Sequence, residues 1–212
     1  IKIMKKIILL LFLLAFCNST FYLDAHPVIW KNGQVLMTEL DENMVRSTYH
    51  KSFAYNWSIG GHYLYSNDVK NSFFFGQSNW LVMRWNAKKS QGNIYFLTGL
   101  GLETSFKSKE IKTLLGVQGD WETRRFYTFF KLNRYVLERE NISLRARLGV
   151  SPWESQFNDL HTWFMVQLDT SSQDDWKRVK VIPILRVFKH DILGEIGSDF
   201  EDYLFLTFML HL

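Results

Sequence analysis

Six histidines and a set of charged side chains at alternating positions are the residues of this 212-residue chain best suited to chemistry. His62 lies four residues after Ser58, and His161 follows Asp159, with Ser155 close by. A serine hydroxyl within hydrogen-bond reach of an imidazole, itself oriented by a carboxylate, is what nucleophilic hydrolysis requires. A chain of this size also contains such sets by chance. His26 would present an amine and an imidazole together if the chain were cut after Ala25. With His50 it offers borderline-soft nitrogen ligands suited to copper or zinc, although a terminal histidine is commonly just solvated. The largest group is Glu103, Lys112, Asp120, Lys131, Arg145, Arg147, Asp169 and Glu195. These eight fall on the polar faces of alternating segments. There they either form a salt-bridge network that fills an interior, or line a pore in which arginines favour anions.

The elements that carry these residues alternate with period two. Leu144, Ala146, Leu148 and Val150 oppose Ser143, Arg145, Arg147 and Gly149. Leu204, Leu206, Phe208, Leu210 and Leu212 oppose Tyr203, Phe205, Thr207, Met209 and His211. Successive strand side chains point to opposite faces, so these are strands between two environments. Twelve are expected, at about 35–40, 44–52, 57–65, 79–86, 93–103, 110–120, 125–135, 143–151, 160–169, 179–188, 192–197 and 203–212. Merging the two weakest, 35–40 and 192–197, into loops gives ten. Polar turns such as Ser66-Asn67-Asp68 and Ser171-Ser172-Gln173-Asp174-Asp175 separate them. Two places fit poorly: Phe73-Phe74-Phe75 is aromatic on both faces, and Pro183 lies inside a strand.

Composition narrows the class. The 47% hydrophobic content excludes a disordered chain, and the single cysteine excludes a disulfide scaffold or a Cys-based zinc site. Met4-Lys5-Lys6 precedes an apolar run from Ile7 to Phe16, the pattern of a secretory signal peptide. Residues 1–25 are read as that signal, 26–34 as an N-terminal arm and 35–212 as the folded domain. Phe16 before Cys17 argues against lipidation. Loss of the signal lowers the formal charge from +4 to +2, which removes the main support for nucleic-acid binding. No cofactor is expected, since neither Gly60-Gly61 nor Gly99-Leu100-Gly101 precedes a helix as a phosphate loop would.

Three features favour lipid outside the sheet over water. The polar faces mix opposite charges with glycine, as at Gly99, Gly101 and Glu103, which suits a narrow lumen. Aromatics gather near strand ends: Trp57, Tyr65, Trp80, Trp85, Trp121, Tyr127, Trp153 and Trp163, like interfacial girdles. Strands of nine to eleven residues are long enough to cross a bilayer at a tilt.

In this alternation and its closing strand the chain resembles small bacterial outer-membrane β-barrel proteins, although it ends on Leu212 where such barrels usually end on an aromatic. The resemblance implies an all-β, closed, antiparallel up-and-down barrel in the outer membrane. The implied partners are outer-membrane lipid, the barrel-assembly machinery and a small solute. A structural envelope protein or narrow, porin-like solute channel is the leading reading. Ser155, Asp159 and His161, or His62, resemble the rim layout of outer-membrane lipid-A deacylases and phospholipases, so a lipid-modifying hydrolase is the alternative. A soluble periplasmic, lipocalin-like binder of an apolar ligand is the third.

Overall fold

The computed structural model describes residues 26–41, 44–66, 71–104, 109–136, 141–154, 159–172, 176, 178–201 and 203–212. The proposed signal segment, residues 1–25, lies outside them. Twelve strands follow in chain order: β1 (Gln34–Asp41), β2 (Met44–Ala54), β3 (Trp57–Ser66), β4 (Asn71–Ala87), β5 (Ser90–Thr104) and β6 (Lys109–Thr123), then β7 (Phe126–Val136), β8 (Asn141–Val150), β9 (His161–Ser171), β10 (Lys180–Lys189), β11 (Ile192–Ser198) and β12 (Leu204–His211). Each pairs antiparallel with its sequence neighbours, and β12 closes on β1 from Val35↔His211 to Asp41↔Phe205. Closure leaves no sheet edge along the ring, the condition for immersing a sheet in hydrocarbon.

The apolar side of the alternation faces outward. Leu144, Leu148 and Val150 on β8, Phe164, Val166 and Leu168 on β9, and Leu204 and Leu206 on β12 are all exposed. The intervening residues, such as Gln167, Arg186, Glu195 and Thr207, are buried inside. A water-soluble barrel would need the opposite polarity, so the apolar-interior binder does not fit this wall.

Two exceptions in the sequence pattern have local causes. The expected 79–86 strand starts at Asn71, so Phe73-Phe74-Phe75 belongs to β4. Phe74 faces out and Phe75 faces in, opposite Gly101, where an added Cβ would lie 2.5 Å from the Phe75 ring. The missing side chain at Gly101 is what admits the inward phenylalanine. Pro183 is exposed on β10, and pairing of β10 with β11 begins only at Ile184. The proline therefore sits where one side of the strand has no ladder to lose.

Tyr127 and Trp163 correct the girdle reading. Both point inward and are buried, packing edge-to-face at 6.3 Å within a cluster that includes Met165, Ile182, Ile184 and Phe205. Trp163 shares parity with Gln167 and Asp169, which places it on the lumen side. The interior is thus partly an apolar core. By contrast Trp57, Trp80, Trp85, Trp121 and Trp153 gather at the rim where the chain enters β1 and leaves β12, here called the terminal rim.

At that rim β4 overruns its neighbour. Its pairing with β3 ends at Trp57↔Trp80, whereas its pairing with β5 continues past a bulge at Val82 to Ala87↔Ser90. The free edge along residues 82–87 has no strand on its β3 side. Such an edge belongs at headgroup level or in water, not in hydrocarbon.

Candidate functional site

All eight charged residues singled out from the sequence carry lumen-side parity: Arg145, Arg147, Asp169 and Glu195 on β8 to β11, Lys131 on β7, and Glu103, Lys112 and Asp120 on β5 and β6. On the wall formed by β8 to β11, Arg145 holds Asp169 in a bidentate pair, Nε to Oδ1 at 2.9 Å and Nη2 to Oδ2 at 3.0 Å. Gln167 donates to the same carboxylate at 2.7 Å and accepts from Arg147 Nε at 2.6 Å. Arg147 also reaches Glu195, at 3.2 and 3.3 Å, and Arg186 Nε donates to Glu195 at 2.6 Å. One carboxylate therefore serves two guanidiniums. Arg186 and Arg147 lie over the Tyr127 and Phe129 rings at 4.7 and 5.8 Å, so the cations also have aromatic faces against them. Lys131 lies opposite Arg145 in the β7–β8 register.

This wall is tied across the lumen. Glu39 on β1 pairs with Arg46 on β2 at 3.3 Å and with Arg145 on β8 at 3.7 Å. β1 and β8 are five positions apart in the ring of twelve, so the Glu39–Arg145 pair spans the interior. Arg46, Arg145 and Asp169 keep about a quarter of their side-chain surface accessible, at 29%, 26% and 23%, whereas Arg147, Arg186 and Glu195 have 10% or less. Solvent therefore enters from the far rim, opposite the terminal one, and thins out at Glu195. Lys112 and Glu103 form a further pair near the far rim, with the ammonium 5.0 Å from the Phe73 ring centre.

The wall from β2 to β6 carries Arg46, Glu103, Lys112 and Asp120, and between them its inward side chains are neutral. Gln77 Nε2 donates to Asn79 Oδ1, and Asn79 Nδ2 donates to Ser58 Oγ at 2.9 Å and contacts His50 Nδ1 at 3.0 Å. Thr48 and His62 share a 3.0 Å hydrogen bond, and the His50 and His62 rings meet edge-on at 5.0 Å. Gly60 makes room for this pair, since a Cβ there would fall 2.2 Å from His50 Nδ1.

Residues 26–33, ahead of β1, complete this wall. The backbone reverses at Asn32, which has φ 69° and whose N–H donates to Ser52 O at 2.7 Å; Gly33 N–H donates to Trp30 O at 3.1 Å. The reversal turns the preceding residues into the barrel. Ile29 N–H donates to Ser52 Oγ, and Ser58 Oγ donates to Pro27 O. Val28 is fully buried against Tyr95 and Leu97, and Ile29 packs on Val35, Leu193 and Met209. His26 ends beside β5 and β6, with Nδ1 3.2 Å from Asp120 Oδ2 and Nε2 3.5 Å from Asn93 Nδ2. An imidazole protonated on Nδ1 satisfies both partners. The arm therefore crosses the terminal mouth from β1 to β6, with hydrogen bonds on the way.

Of the hydrolase candidates, Ser58 and His62 do not pair. His62 contacts Thr48, not Ser58, whose hydroxyl is taken up by Pro27 and Asn79. His161 stacks on Phe188 at 4.4 Å on the β9–β10 side, far around the ring from β3. Asp159 is exposed in the β8–β9 connection, and Ser155 lies outside the described residues. The two nitrogen-ligand candidates also face different groups, His26 towards Asp120 and His50 towards Asn79.

Several central residues escaped the sequence reading: Glu39, Arg46, Arg186, Gln77, Asn79 and Asn93. Parity could have found Arg186, which alternates with outward Val181, Pro183 and Leu185 along its strand. Nothing in the spacing foretells that Glu39 meets Arg145 across the lumen.

No family model matches this chain, and no curated protein matches it in sequence. Solved structures do match in fold, among them two KdgM porin structures. A KdgM porin in complex with disordered oligogalacturonate aligns at TM-score 0.54 and 9% identity, covering 84% of this chain and 97% of that one. A KdgM porin structure aligns at TM-score 0.50, with the same identity and coverage. At that identity the likeness is one of fold alone, that of a closed β-barrel.

Proposed function

We propose that the protein is a narrow solute channel of a bacterial outer membrane, biased towards anionic or polyhydroxylated solutes, with its terminal mouth constricted by residues 26–33. The observation that carries this reading is the polarity of the wall. A twelve-strand ring with apolar residues outside and ionised residues inside is suited to lipid on one face and water on the other. The mid-lumen cluster sets five cations, Arg46, Lys131, Arg145, Arg147 and Arg186, against three carboxylates, Glu39, Asp169 and Glu195. The excess positive charge faces the solvent that enters from the far rim. The fold likeness to a porin bound to an oligomer of a carboxylate sugar is in keeping with this sign. A leader at residues 1–25 and assembly by the outer-membrane insertion machinery belong to the same reading.

Two measurements test it. The native protein in outer-membrane fractions should migrate differently on SDS gels before and after boiling, as a closed barrel does. In planar bilayers under a KCl gradient, the reversal potential should show preference for chloride. Recovery in the soluble periplasmic fraction, without a heat-dependent shift, would contradict the membrane reading. A cation-selective current would contradict the assigned solute class.

A further inference from the structure

Between Trp85 and Leu168 the outer wall carries an apolar groove of about 370 Å³. The Phe130 ring lies over Gly119, and the groove opens beside it where Thr128 and Ala146 place small side chains among large ones, with Leu148 and Leu168 forming its upper part. Its lower end opens beside Trp85 and Trp121, at the terminal rim. Two neighbouring turns stand just beyond that opening. Lys88-Lys89 joins β4 to β5 and Arg124-Arg125 joins β6 to β7, and the pairing Ser90↔Thr123 puts the two turns side by side. All four cations are exposed. Arg125 also donates to Ser151 O at 3.4 Å and Pro152 O at 3.5 Å, which holds the Trp153 segment against the same rim.

We infer that this groove and the two cationic turns form a binding site for one anionic phospholipid. The phosphate would sit among Lys88, Lys89, Arg124 and Arg125, and one acyl chain would lie along the wall over Thr128 and Ala146, against the Phe130 ring. The inference rests on the membrane-barrel reading above and adds a specific lipid class to it. Charge complementarity decides the occupant: a hydrocarbon slot that ends under four cations suits a ligand with an apolar tail and an anionic head. A comparison within the same barrel strengthens the choice. A larger apolar groove, about 720 Å³, adjoins it at Leu148 and Val166 and runs past Pro183 to Phe200. The adjoining β11–β12 turn carries Asp199 and Glu201. That groove has the apolar slot without the cationic head site, so it should accept acyl chains with no preference for charge.

The test uses the full-length protein in phosphatidylcholine vesicles containing about 10% phosphatidylglycerol, with one lipid at a time carrying brominated acyl chains, which quench tryptophan on contact. The part of the fluorescence lost in the Trp85→Phe/Trp121→Phe variant reports the groove. Brominated phosphatidylglycerol is expected to quench that component with an apparent enrichment of about tenfold over phosphatidylcholine. The variant Lys88→Gln/Lys89→Gln/Arg124→Gln/Arg125→Gln should abolish the enrichment but keep the quenching by phosphatidylcholine. Ala146→Phe, which fills the slot and leaves the charges, should reduce quenching by both lipids. The heat-dependent gel shift checks that each variant is folded. Equal quenching by both lipids in a barrel that keeps its shift would overturn the lipid site alone. No quenching by either lipid, with no shift, would overturn the membrane reading and the site together.

Discussion

The two walls of the lumen solve the same problem with different chemistry. Both must bury polar side chains inside a ring whose outside is apolar. The β8–β11 wall does so with ions that compensate one another, Arg145 with Asp169, and Arg147 and Arg186 with Glu195. At the centre of the β2–β6 wall amides, hydroxyls and imidazoles predominate, and this wall accepts the arm as a further partner, with His26 against Asp120. The difference bears on what each wall can release. Removing one member of a buried ion cluster strands a charge in low dielectric, so that wall is committed to one arrangement. A neutral donor or acceptor can exchange a protein partner for water at small net cost.

The sharpest challenge to this contrast is Glu195→Gln. It leaves Arg147 and Arg186 without their shared carboxylate and should lower stability by about 3–5 kcal/mol, read from the urea midpoint of the heat-dependent gel shift. Adding Arg186→Met should recover part of that loss. Asn79→Ala removes the donor to Ser58 and the acceptor for Gln77 on the β2–β6 wall, and should cost about 1–3 kcal/mol in the same assay. If Asn79→Ala proved the costlier of the two, the contrast between the walls would fail. Ser58→Ala removes one hydrogen bond to the arm and should cost about 0.5–1.5 kcal/mol.

The smallest effect lies outside both walls. In the β11–β12 turn, Asp199 Oδ1 accepts from Tyr203 N–H at 2.9 Å and from Glu201 N–H at 3.0 Å. These backbone donors, Tyr203 first, hold its carboxyl below the ordinary aspartate range. A depressed folded value means the contribution is complete above the unfolded pKa and is lost as pH falls through the folded one. Amide exchange at Glu201 and Tyr203 should accelerate over that acidic interval beyond the intrinsic pH trend. In Asp199→Asn the added acceleration should disappear.

Much of this architecture was legible in the chain. Period-two alternation locates every strand, because each residue of a barrel wall faces one of two unlike solvents. It also assigns Arg145, Arg147 and Glu195 to the lumen. What parity cannot decide is how the inside is filled. Tyr127 and Trp163 look like girdle residues by type and position near strand ends, yet their parity sends them inward to pack with Ile182 and Phe205. The start of β4 was hidden because Phe73-Phe74-Phe75 blurs the alternation until Gly101 is seen opposite Phe75. The arm was less legible still. Its position depends on a reversal at Asn32 and on Ser52, Ser58, Asn93 and Asp120, contributed by four different strands that only closure of the ring brings together.

The central claim, a channel that its own N-terminal arm narrows, is tested most directly by single-channel conductance in planar bilayers. The protein would be compared with a variant lacking residues 26–32, with the heat-dependent gel shift showing that both barrels are closed. The account predicts a several-fold rise in conductance on removal of the arm, since Val28 and His26 no longer occupy the terminal mouth. An unchanged conductance would contradict it, and would place the narrowest point at the Glu39–Arg145 pair.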